Sequence, residues 1–132
     1  MFDWIGYLEL AQQLLVSPET LVSALADPDR RPPPRLTEAA WRTTGSRAYY
    51  AALHKCREAV EQRDGGQISG AKIHAEVLSR LRQRPETEAT ARELDRLRGL
   101  RAHADYNSAR PFGLFEAQAA VALATEAVRL LP

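Results

Sequence analysis

At 132 residues, 45% of them hydrophobic and 27% charged, the chain has the size and balance of one globular domain with its own core. A net charge of +1 excludes a histone-like polycation. Cys56 stands alone, which excludes an internal disulfide and points to a reducing compartment, while no apolar run reaches transmembrane length and the N-terminus lacks a signal-peptide pattern, so the expected location is cytoplasmic.

Apolar positions at Trp4, Leu8, Ala11 and Leu15 predict a helix over 3–15. Ser17-Pro18 restarts a short helix to about Leu25, with Ser as N-cap and Pro at the first helical position. Asp27 to Arg35, with three consecutive prolines, reads as a stiff extended connector. A long helix follows over about 37–62, with Tyr49, Leu53, Cys56 and Val60 on one apolar stripe. Gly45 inside it marks a kink or a close helix contact. Asp64-Gly65-Gly66 ends that segment. The next helix covers about 71–83, with Ile73, Val77 and Leu81 inward. Pro85 opens another over about 86–104, with Leu94, Leu97, Leu100 and Ala104 inward. Asn107 to Gly113 is a loop, and the last helix, 114–131, carries Leu114, Ala117, Val121, Ala124, Val128 and Leu131 on one face. No segment alternates like a strand. The expectation is a single all-α domain over 1–132: a bundle of four long helices with a short extra N-terminal helix.

The densest chemistry lies in Leu97 to Tyr106. Histidine moves protons near neutral pH, and arginine holds phosphate oxygens in a fork. Arg98 and His103, with four residues between them, therefore suit metal-free cleavage of a phosphodiester. Five positions on an ideal helix set the two side chains about 140° apart, so they flank a groove rather than stack. The plainer reading of the same residues is a solvated helix end, with Arg101 and His103 placed well against the C-terminal dipole. Arg47, Tyr50, His54 and Arg57 share a polar stripe that suits RNA or a partner, or else hydrogen-bonds a neighbouring helix. His74, between apolar neighbours, reads as a packing residue, and Cys56 as core rather than nucleophile. Three scattered histidines and one cysteine lack metal-ligand spacing, so neither metal nor cofactor is expected. No Gly-rich phosphate loop is present.

Two segments together resemble one family. Ser46-Arg47-Ala48-Tyr49-Tyr50-Ala51-Ala52-Leu53-His54 resembles a helix of small prokaryotic HEPN-domain proteins, and Leu97 to Tyr106 resembles their "LRxLRxxADY" segment. His74 matches a histidine these proteins often carry at the start of the third helix. The helix order agrees from about residue 6 to 131, nearly the whole chain. The resemblance implies an all-α bundle that dimerises, with Arg98 and His103 at the positions of the family's Arg/His motif. Active members are metal-independent endoribonucleases, many of them toxins or defence effectors, often encoded beside a minimal nucleotidyltransferase antitoxin. In some pairs the antitoxin modifies a tyrosine after the motif histidine, for which Tyr106 is the nearest match.

The expected mechanism pairs two chains so that both motifs line one cleft. One His103 takes the proton of an RNA 2′-hydroxyl and the other protonates the leaving 5′-oxygen, giving a 2′,3′-cyclic phosphate. Arg98, helped by Arg101, stabilises the phosphorane; Arg47, Tyr50 and His54 position RNA, with Asp105 in support. The alternative is a non-catalytic module that pairs with itself and docks a nucleotidyltransferase. The two differ in one respect: cleavage needs Arg98 and His103 exposed, whereas a module tolerates both buried or paired with Asp95 or Asp105.

Overall fold

The computed structural model describes residues 11–12 and 34–132. Ala11 and Gln12 are helical, and Ala11 is buried in the main core. The rest of the helix expected over 3–15, the short helix to Leu25 and the connector as far as Pro33 lie outside the described residues. The remainder contains four helices and no strand: α1 (Pro34–Asp64), α2 (Ile73–Arg82), α3 (Pro85–Tyr106) and α4 (Leu114–Arg129). None is long and apolar enough to cross a membrane.

Pro34 and Arg35 belong to α1, not to the extended connector, which corrects the expectation for 27–35. A proline at the first helical position sacrifices only an N–H that would have no intrahelical partner, and its fixed φ suits a helix. Pro85 opens α3 in the same way. There Thr87, buried, donates its hydroxyl hydrogen to the Leu81 carbonyl at 2.6 Å and ties the start of α3 to the end of α2.

The long helix α1 packs against all three others, and α3 lies against α2 and α4. The predicted α1 stripe of Tyr49, Leu53, Cys56 and Val60 is wholly buried. It meets Val77 and Leu81 of α2, Leu94 and Leu97 of α3, and Val121 and Ala124 of α4. Each such aliphatic side chain contributes roughly 1.5–3 kcal/mol on leaving water. Burial pushes the Cys56 thiol up to about 12, so it stays protonated, as a core residue should.

Leu114 departs from its predicted inward place and is 46% exposed. Phe112, just before α4, fills the inner position instead and packs with Ala104, Ala117 and Trp41 in a second small cluster. Its ring reaches α1 at Gly45. A Cβ there would stand 2.7 Å from the Phe112 Cζ, so the glycine marks a close contact.

Candidate functional site

Around Arg101, three helices bring together most of the polar residues that the sequence singles out. An Arg101 Nη2–H donates to the Tyr50 hydroxyl and, at 3.0 Å, to that of Tyr106. Its Nε stands 2.9 Å from Asp105 Oδ2, which also accepts from the Ser46 hydroxyl at 3.2 Å. The guanidinium carbon lies 4.9 Å from the Tyr106 ring centroid and 5.2 Å from that of Tyr50. Aromatic faces attract a cation, and most strongly where water is thin. Arg101 is thus held within its own chain rather than presented as an open phosphate fork.

Behind it, Tyr49 and His74 are stacked, with the Tyr49 hydroxyl against His74 Nδ1. Burial pushes the Tyr49 phenol up to about 12, although Arg98 and Arg101 pull the other way. The phenol therefore keeps its proton and shares a hydrogen bond with His74 Nδ1. Burial also lowers the His74 pKa, and Arg101 and Arg98 add to that. His54, stacked on Tyr50, is brought down to about 4, first by burial and then by Arg57 and His74. Both rings are neutral at pH 7. The expected role of His74 in packing agrees with this arrangement. Of the Arg47/Tyr50/His54/Arg57 stripe, Tyr50 faces α3, Arg57 lies 3.6 Å from Glu61, His54 is half-buried and Arg47 is exposed.

Arg98 is exposed, and its charge acts on Tyr49 and His74, on the side of α3 that faces α1 and α2. Among the described residues it forms no hydrogen bond or ion pair. Asp95 is engaged instead with Arg82 at 3.4 Å, and Asp105 with Arg101. His103 is half-exposed and lies toward the last loop: its ring meets the Phe112 ring edge-on at 5.1 Å, and its charge acts on Glu116 of α4. One chain therefore holds Arg98 and His103 on different sides of α3, as the helical angle between them requires.

The end of α3 at His103 is held by residues that sequence reading did not single out. Arg42 Nη1 donates to the carbonyls of His103, Ala104 and Asn107 at 3.0, 2.9 and 3.2 Å. The His103 carbonyl also accepts the Asn107 N–H at 3.2 Å, and α3 runs to Tyr106, two residues past its expected end at 104, with Arg42 against its last carbonyls. Glu38 Oε1 accepts from Arg42 Nε and Nη2 and from the Phe112 N–H. The Arg42 bonds and then the Phe112 N–H hold the Glu38 carboxyl below its usual range. The one sequence signal was the i,i+4 spacing of Glu38 and Arg42, which occurs on many solvated helix faces.

Among the described residues no group of three or more His, Cys, Asp or Glu side chains could hold a metal ion. No protein-family model matches the chain, and no curated protein or solved structure matches it.

Proposed function

We propose that the protein is a metal-independent endoribonuclease of the HEPN kind, acting as a toxin or defence effector, with Arg98 and His103 as its catalytic pair. The observation that carries this reading is their accessibility. Arg98 is exposed and His103 half-exposed, while the carboxylates beside them are occupied by other arginines. A pair kept only for stability would be expected to sit in those ion pairs.

Because one chain separates the two side chains around α3, the reading requires a homodimer in which both Arg98/His103 motifs line one cleft. His103 removes the proton from the RNA 2′-hydroxyl as O2′ bonds to phosphorus. The P–O5′ bond breaks, and His103 of the partner subunit protonates O5′. Arg98 neutralises the charge that gathers on the phosphorane. Arg101, braced by Tyr50, Tyr106 and Asp105, shapes the α3 surface more than it grips phosphate.

A second reading, a non-catalytic module that docks a nucleotidyltransferase, is favoured by Phe115, 79% exposed beside the exposed Leu114. Tyr106, 71% exposed, is accessible to such a partner for modification.

The test is cleavage of total RNA in EDTA by wild type, Arg98→Ala and His103→Ala. Expected are cyclic phosphate ends from wild type and a loss of at least about 100-fold in each variant. Intact RNA after incubation with folded, dimeric wild type would overturn the ribonuclease reading in favour of the module.

A further inference from the structure

The Arg42 network reaches the ring of His103 through one shared carbonyl. Arg42 is fixed at its root by Glu38, through Nε at 3.2 Å and Nη2 at 2.9 Å. The same Nη2 donates to the Arg110 carbonyl at 2.7 Å. That carbonyl, on the loop after α3, lies 3.3 Å from His103 Nε2. A carbonyl oxygen only accepts, so Nε2 must be the nitrogen that bears hydrogen. A neutral imidazole has one N–H, which leaves the lone pair on Nδ1. Phe112, buried and edge-on to the imidazole, walls the ring on another side.

We infer that Arg42 is a positioning residue. Through the Arg110 carbonyl it holds neutral His103 as the Nε2–H tautomer, so that Nδ1 receives the proton of the RNA 2′-hydroxyl. The functional half of this inference rests on the ribonuclease reading; the tautomer does not. In the step itself Nδ1 gains the proton, O2′ bonds to phosphorus, and the P–O5′ electron pair leaves with O5′. O5′ is then protonated by the charged His103 of the partner subunit.

The experiment is long-range proton–nitrogen NMR of the imidazoles in the dimer, beside single-turnover cleavage, for wild type, Arg42→Lys and Glu38→Gln. Arg42→Lys keeps the charge, but one ammonium cannot span Glu38 and the carbonyls of His103, Ala104, Asn107 and Arg110 together. Expected are the Nε2–H pattern for His103 in wild type and mixed tautomers in Arg42→Lys. The cleavage rate constant should fall about 10- to 100-fold with RNA affinity nearly unchanged, as expected for a misplaced base. Should Arg42→Lys fail to fold, Glu38→Gln, which removes only the charge at the root of Arg42, should shift both readouts the same way by a smaller factor.

An Nδ1–H pattern in wild type would overturn the inference, and so would folded variants that keep both tautomer and rate. A wild type with the Nε2–H pattern that cleaves no RNA would refute the ribonuclease reading while supporting the Arg42 tether.

Discussion

Two glycines sit inside long helices, and the structure assigns them opposite consequences. Gly45 of α1 has no room for a side chain: a Cβ would stand 2.7 Å from Phe112 Cζ, 3.3 Å from its Cε1 and 3.6 Å from the Ala104 Cβ. Carbon atoms settle at about 3.5–4.0 Å, so the ring would have to retreat by nearly 1 Å. Phe112 is buried, and overpacking at such a site costs about 1–3 kcal/mol. Gly99 of α3 has nothing within 4 Å of the same added atom. Each Gly→Ala change gains about 1 kcal/mol of helix propensity, so that gain cancels between the two variants. Gly99→Ala should therefore exceed Gly45→Ala in stability by about 1–3 kcal/mol, and should exceed wild type by up to about 1 kcal/mol. With roughly 2.1 cal/mol/K of unfolding entropy per residue, the two melting temperatures should differ by about 4–11 °C. Thermal and urea unfolding at matched protein concentration measure this. Because Phe112 touches the His103 ring, Gly45→Ala should also shift the His103 imidazole resonances, while Gly99→Ala leaves them in place. Equal stabilities, or a more stable Gly45→Ala protein, would refute the close-packing argument.

Stability should also fall with pH below neutrality in a way traceable to His54. Its folded pKa is about 4 against an ordinary 6.5, so between those values the unfolded chain binds a proton that the folded chain refuses. The stabilisation is complete above pH 6.5 and is lost on descent toward pH 4. Allowing for screening at a partly exposed ring, it amounts to about 1–2 kcal/mol. Urea unfolding at pH 7 and 4.5 should show that loss in wild type and not in His54→Gln; parallel losses would refute it. Tyr49→Phe removes a hydrogen bond at a buried site and should cost about 1 kcal/mol. Urea unfolding measures that loss, and a Tyr49→Phe protein as stable as wild type would refute it.

Periodicity determined the helices. Apolar residues at three- and four-residue spacing placed Tyr49, Leu53, Cys56 and Val60, and likewise Leu94 and Leu97, on faces that the fold does bury. Such a pattern is local and survives in the sequence because each helix must hide one stripe. The angle between Arg98 and His103 was equally legible, being fixed by helix geometry alone. Tertiary structure decided the partners. That Arg101 is braced by Tyr50 and Tyr106 depends on residues 51 apart in the chain and on a helix end. That Arg42 closes α3 and reaches the His103 loop depends on side-chain and carbonyl groups more than 60 residues apart. Carbonyls carry no sequence signature, so nothing at position 42 announces what it binds. The displacement of Leu114 by Phe112 has the same origin: either residue satisfies the pattern, and the space beside Gly45 selects between them.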